Sequence, residues 1–248
     1  MKNAIVYLIF LLLCTPVLKA DQNKFEKAEK LYRNGEYDKS IIEFESLLDE
    51  NEISSTVFYN IGNCYYKKSD YTKAVLYYEK AAKYNPSDED IRYNLQITRS
   101  RLTDEADSNE SGVSGWFFAV VNTRGADYWT WLTILMSVAG TLFLFLMFFS
   151  TKNSFKRISL ATSLVAFAFS IVFYFFSSYQ IAQFNADDEA VIIRESAEAR
   201  SEPEANSKPV FIVPGGMKVK ILSEKEGWYE VLLNSNVGWL KSEELEKI

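Results

Sequence analysis

Two stretches of the chain, residues 128–149 and 158–179, carry no charged side chain, and only residues 150–157 separate them. Each is long enough to cross the ~30 Å hydrocarbon core of a bilayer as a helix. No water is available there to satisfy backbone N–H and C=O groups, so a helix is the form such a run is driven to adopt. Two runs joined this tightly predict a transmembrane hairpin that returns both flanking regions to the same side. The connecting residues include Lys152, Lys156 and Arg157. Positive charge accumulates in cytoplasmic loops, so 150–157 is expected in the cytoplasm. Neither run offers the ionisable groups at depth that ion and proton pathways use, which argues against transport. Ser163, Ser170, Gly140 and Ala139 read as helix-packing positions.

The N-terminal residues point the same way. Lys2 precedes an apolar stretch from Ala4 to Cys14, and Ala20 stands before polar Asp21-Gln22-Asn23. That pattern predicts a secretory signal peptide over residues 1–20, cleaved after Ala20. Bulky Leu13 disfavours a lipid-attachment site at Cys14. Signal and basic turn together predict a bacterial inner-membrane protein with two spans, its N-terminal and C-terminal domains in the periplasm.

Composition narrows the chemistry. The chain has no His and two Cys, Cys14 and Cys64. Without histidine there is no imidazole metal ligand, no Ser-His or Cys-His pair and no imidazole base. With Cys14 removed, Cys64 has no disulfide partner, and its place inside a helix predicts a packed, inert thiol. No catalytic residue, metal or cofactor is expected, so the chain is not read as an enzyme. A net charge of −6 argues against a nucleic-acid partner, which would require clustered Lys and Arg.

Ahead of the apolar runs the chain repeats itself. Gly35 and Ser69, Tyr37 and Tyr71, Ser40 and Ala74, Phe44 and Tyr78, and Leu47 and Ala81 each stand 34 residues apart. The second copy, 55–88, places Phe58, Ile61, Gly62, Tyr65, Tyr71, Ala74, Tyr78, Ala81 and Pro86 at the signature positions of the tetratricopeptide repeat, which it resembles closely. Gly62 and Ala74 are small enough for two antiparallel helices to approach, the tyrosines fill the junctions, Asp70 can cap the second helix and Pro86 ends it. The first copy is degenerate, with Lys24 and Glu52 where an aromatic and a proline are usual. A third first-helix is expected from Glu89 through Leu102, capping the open end of the stack. The module is read as residues 21–102.

That resemblance implies a groove lined by the first helix of each pair. Its ligand-facing positions are Phe25, Glu29, Tyr32 and Arg33, then Tyr59, Asn63, Tyr66 and Lys67, then Tyr93 and Arg101. Mixed aromatic, amide and charged side chains suit a peptide or a partner helix; the competing reading is a simple solvated surface. Relatives that clamp a C-terminal carboxylate use paired lysines, an arginine and asparagines. Asn60 fits that set, but Phe25, Glu29, Asp90 and Asn94 do not, so tail recognition is not expected.

Residues 103–127 read as a linker and interfacial segment. Thr103 to Ser114 is polar and acidic. Gly115 to Val121 is apolar but too short to span, and is expected either at the interface, with Trp116 at headgroup level, or against the repeat module. From Asp187 to Ile248, short β-type runs alternate with turns. Ala190–Ile193, Pro209–Val213, Lys218–Leu222, Trp228–Leu233 and Val237–Leu240 predict five strands in a small barrel. Gly216 before an alternating strand, Gly227-Trp228-Tyr229-Glu230-Val231 and Gly238-Trp239-Leu240 resemble bacterial SH3-like domains, whose relatives bind cell-wall peptides or proteins. Trp228 and Trp239 are read as core in preference to a ligand platform, with Tyr229 open between the two.

The expected fold is therefore multi-domain: an all-α tetratricopeptide repeat, a two-helix transmembrane hairpin and a small all-β SH3-like barrel. In that order, and with the segment Asn85-Pro86-Ser87-Asp88-Glu89-Asp90-Ile91-Arg92-Tyr93-Asn94-Leu95, the chain resembles the BatE-type proteins of Bacteroides aerotolerance operons. The resemblance implies a scaffold in an envelope complex, with von Willebrand A-type partner proteins and a link to stress tolerance. The alternative is a tether or sensor that binds peptidoglycan through the barrel.

Overall fold

The computed structural model describes residues 23–49, 54–102, 116–117, 120–186 and 188–248. The expected signal peptide and most of the expected linker lie outside these residues. The repeat helices and the C-terminal sheet make one compact unit, and the apolar helices make another.

The repeat consists of α1 (residues 23–33), α2 (Tyr37–Asp49), α3 (Ser55–Lys67), α4 (Tyr71–Tyr84) and α5 (Glu89–Arg99). Side-chain caps start the later helices. Ser54 accepts from the Val57 N–H at 3.2 Å, Asp70 from Lys73 at 3.2 Å, and Asp88 from Asp90 and Ile91 at 3.0 and 3.2 Å. Each such cap is worth about 1 kcal/mol. The two helix pairs turn through left-handed residues 34 apart, Gly35 (φ +80°) and Ser69 (φ +62°). Gly62 sits where α3 crosses α4 so closely that a Cβ would lie 2.7 Å from the Tyr78 ring. Phe44, Leu47, Ile61, Leu76 and Tyr78 are fully buried between the helices. Cys64 is buried too, and burial pushes its thiol pKa up.

The C-terminal domain is a single antiparallel sheet of seven strands, not five. They are β1 (Glu189–Ile192), β2 (Ser196–Arg200), β3 (Pro209–Pro214), β4 (Lys218–Lys225), β5 (Trp228–Leu233), β6 (Asn236–Lys241) and β7 (Leu245–Lys247). They run in the order β3-β2-β6-β5-β4-β1-β7, with a 3-10 turn at Ser242–Glu244 before the last strand. Ser-Ala-Glu-Ala-Arg gives β2 little strand propensity, and β7 is short, which is why the sequence pattern passes over both. The core is built from small aliphatics: Ala190, Ile192, Ala197, Ala199, Val213, Val219, Val231, Leu240 and Leu245. Gly238 faces inward because a Cβ there would lie 2.9 Å from Ala199 and 3.0 Å from Phe211. The expectation that Trp228 and Trp239 form this core is corrected: both are half-buried but stand outside the cluster, while Tyr229, Val231 and Leu233 pack into it.

The sheet is packed against α4 and α5. Strand β1 is buried on both faces: Ala190 and Ile192 enter the sheet's own core, while Val191 joins Val75, Leu76 and Leu95 of the repeat, with Leu102, Ile193 and Ile248 around them. At the Pro214-Gly215-Gly216 turn a Cβ on Gly216 would lie 2.4 Å from Leu102. Charges frame the apolar patch. Glu79 accepts from Arg99 and has Lys218 at 3.5 Å, and Lys218 also meets Glu189 at 2.5 Å. Lys80 pairs with Glu246 at 2.5 Å, and Lys83 donates to the Ile248 carbonyl at 2.7 Å. Burial works against the charged form of Lys218, but Glu79 and Glu189 more than offset it and raise its pKa. Its stabilising contribution is therefore constant at neutral pH and is lost only as pH climbs through that raised pKa. Beside α5, the barrel adds its own apolar cover to the repeat through Val191, Ile193 and Ile248.

The two apolar helices are Ala126–Phe149 and Asn153–Asn185, both long and apolar enough to cross a membrane. The second overruns the uncharged stretch at both ends. A row of serines on it reaches the first helix. Ser159 donates to the Phe143 carbonyl, and Ser163 to that of Gly140 at 2.9 Å. Ser170 shares a hydrogen bond with Ser137 at 2.7 Å, and Ser177 with Thr130 at 2.7 Å. Such bonds average about 0.6 kcal/mol in a bilayer, so the row sets register more than it supplies stability. At the open end, Trp129 Nε1 donates to the Val121 carbonyl at 2.9 Å, and Gln180 donates to the carbonyls of Val121 and Arg124 at 2.8 Å. Phe117 stacks edge-on against Phe176 and Tyr179. Of the apolar segment before the hairpin, Phe117 and Val121 thus pack on the hairpin itself.

Candidate functional site

Helices α1, α3 and α5 lie side by side and line one concave face. Its cavity, about 320 Å³, is walled by Tyr32, Tyr59, Asn63, Tyr66, Lys67, Tyr78, Asn94 and Ile97. Helix periodicity places these residues together: Tyr59, Asn63, Tyr66 and Lys67 recur at three- and four-residue steps along one face of α3. The polar groups are tied to one another. Tyr78, whose ring is buried, donates through its hydroxyl to Asn63 Oδ1 at 2.7 Å. Asn94 Nδ2 donates to the Tyr59 oxygen at 2.8 Å and lies 3.4 Å from Asn63 Oδ1. Burial, with Asp90 and Asp88 nearby, holds the Tyr59 phenol above its ordinary pKa, so it remains a neutral hydrogen-bonding group at physiological pH. A rigid polar floor flanked by tyrosine faces suits a peptide's carbonyls and side chains.

Of the groove positions expected from the sequence, Tyr32, Tyr59, Asn63, Tyr66 and Lys67 meet at this cavity. Phe25 does not. Its ring lies edge-on to Phe44, 5.4 Å between centroids, in the core of the first helix pair. Glu29 and Arg33 face each other at 3.4 Å one turn apart on α1. Tyr93 lies on the outer side of α5, 63% exposed, and Arg101 is exposed in the turn after that helix. Tyr78, Asn94 and Ile97 are additions. Ile97 stands 34 residues after Asn63, a signal already present in the repeat register. Asn94 stands 34 residues after Asn60, at one of the clamp positions weighed above, and its bonds to Tyr59 and Asn63 place it in the wall.

A second surface lies on the barrel. Trp228, Glu230 and Leu232 of β5 stand opposite Lys241, Trp239 and Val237 of β6. Strand alternation turns this set away from the core. Arg200 of β2 is registered with Trp239, and the Lys241 ammonium lies 6.0 Å from the Trp228 ring centre. Tyr229 faces the other way, against the core.

Among the described residues no group of His, Cys, Asp and Glu could hold a metal ion. A family model for the tetratricopeptide repeat matches residues 55–88, and one for the bacterial SH3 domain matches residues 195–246. No curated protein matches the chain. The chain thus combines a tetratricopeptide helical repeat, two long apolar helices and an SH3-like β-domain, and both named modules point to protein–protein interaction, the SH3 domain also to cell-wall binding.

Proposed function

We propose that this protein is a non-catalytic scaffold of the bacterial inner membrane, which gathers a partner protein in the repeat groove on the periplasmic side. The observation that carries this reading is the cavity of Tyr59, Asn63, Tyr66 and Lys67, with its amides and phenols fixed by Asn94 and Tyr78. The packing of barrel on repeat supports the two-span topology. Modules on either side of the hairpin in sequence can dock on each other only if both emerge on one side. The resemblance to BatE-type proteins extends the proposal to von Willebrand A-type partners and to aerotolerance. In detergent extracts, Tyr59→Ala and Asn63→Ala are expected to reduce the recovered partner about tenfold or more. Unchanged recovery would remove the groove from the mechanism.

Cysteine labelling checks the placement. Cys64 is buried, so an introduced cysteine reports its own side. Gln96→Cys and Val237→Cys are expected to react with an impermeant maleimide on spheroplasts, and Lys152→Cys only after permeabilisation. The opposite pattern would invert the topology.

A second reading, binding of peptidoglycan through the barrel, draws on the outward Trp228 and Trp239. Mixing the same extracts with purified wall material separates the two. Sedimentation of the full chain with the wall, lost in Trp228→Ala and Trp239→Ala, would favour the tether.

A further inference from the structure

Helix α5 is shared between the groove and the barrel. Asn94 and Ile97 wall the cavity, and Asn94 Nδ2 donates to the Tyr59 oxygen at 2.8 Å. Arg99 stands two residues beyond Ile97, a rotation of about 200° that carries it to the opposite side of the helix. There it donates to Glu79 Oε1 on α4. The other oxygen of that carboxylate, Oε2, lies 3.5 Å from Lys218 Nζ on β4, and Lys218 in turn meets Glu189 on β1 at 2.5 Å. Glu79 is only 6% exposed, so salt does little to screen these pairs. Apolar contact runs beside the charges: Leu95 shares a buried cluster with Val191, and Leu102 sits on Gly216. Eleven residues are too few for a helix to persist by itself, so the wall that α5 gives the groove depends on what packs behind it.

We infer that the barrel is a working part of the groove: Lys218, through Glu79 and Arg99, positions the α5 wall, so the repeat binds its partner fully only while the barrel is docked. This rests on the groove being the partner site proposed above. Lys218 is not among the residues that line the cavity, and its effect is that of a positioning residue. A buried carboxylate that loses one of its two cations is driven toward water, and the helix held at its other oxygen loosens with it. Asn94 then withdraws from Tyr59 and Asn63, and the polar floor loses its fixed order.

Hydrogen exchange on the full chain in lipid nanodiscs, read by mass spectrometry, tests this in Lys218→Met. The amides of residues 91–99 are expected to exchange about tenfold faster, while those of α1 and α2 stay within about twofold of the parent. Lys218→Arg, which keeps the cation, is expected to restore protection. Leu102→Ala trims the contact on Gly216, leaves the charges in place, and is expected to move the same amides in the same direction. Partner recovery from detergent extracts falls several-fold in Lys218→Met and returns in Lys218→Arg, although every groove side chain is intact. Unchanged protection of α5 in Lys218→Met and Leu102→Ala would overturn the inference. A rise spread evenly from α1 to α5 would mark a plain loss of stability and overturn it too. So would a loosened α5 with undiminished recovery, if Tyr59→Ala still abolishes that recovery. Should Tyr59→Ala leave recovery unchanged, the groove reading falls and takes the binding role of Lys218 with it, while exchange alone still decides whether the barrel holds α5.

Discussion

Val191→Asp is expected to unfold the barrel and the repeat in one transition, with a loss of about 4 kcal/mol or more. Val191 is completely buried, yet it does not enter the barrel's core: it packs on Val75, Leu76 and Leu95 of the repeat. A carboxylate there would be buried between the modules, its cross-strand neighbour Lys218 already shared by Glu79 and Glu189, and Glu246 opposite it on the other side. Folded domains hold only about 5–15 kcal/mol in total, so one such change removes a large share. Val237→Asp is the control, since Val237 is 45% exposed on the far face and should cost less than about 0.5 kcal/mol. Thermal unfolding of the full chain in detergent, followed by tryptophan fluorescence and limited proteolysis, distinguishes the cases. If the modules were independent, the introduced carboxylate would simply meet water, and the variant would melt like the parent.

The second large effect is expected at Gly62. A Cβ at this position lies 2.7 Å from two carbons of the Tyr78 ring, which is only 1% exposed and held at its hydroxyl by Asn63. The ring has nowhere to go. Gly62→Ala therefore costs about 1–3 kcal/mol in spite of alanine's better helix propensity, and Gly62→Val costs more, through a branched side chain in the same space. The damage extends to the groove, because displacing Tyr78 releases Asn63 and with it the bond to Asn94. Lower stability together with loss of partner recovery is the expected pair of readouts. Gly62→Ala with parental stability would mean that α3 and α4 do not approach this closely.

Both predictions bear on what local pattern can encode. The repeat was legible because its signals are short-range: Gly62, Ala74 and Tyr78 recur at helical spacing, and the 34-residue register copies the first-helix face from α1 to α3 to α5. The groove positions Tyr32, Tyr59, Asn63, Tyr66 and Lys67 followed from that register. Phe25 did not, because the degenerate first pair draws it onto Phe44. In the barrel, Gly216, Gly227 and Asn234 marked turns through their positive φ values. Strand β2 was silent, since alanines at 197 and 199 fill a space that only small side chains fit. The tryptophans misled for a related reason: large rings usually go inside, but this core is too narrow for them. One overlooked signal lay in Ala190-Val191-Ile192-Ile193, an apolar run without alternation. A strand at the surface of a lone barrel would alternate, whereas a continuous run marks burial on both faces.

By itself the sequence determined the helical hairpin, the paired repeat helices and the β-character of the last sixty or so residues. Each follows from contacts and hydrogen-bonding demands within a few turns of chain. Tertiary structure alone decided that β1 packs on the repeat and that Asn94 and Tyr78 fix the floor of the groove. Those contacts join residues far apart along the chain, and their strength comes from complementary shape and from excluding water between two surfaces, which periodicity within either segment does not specify.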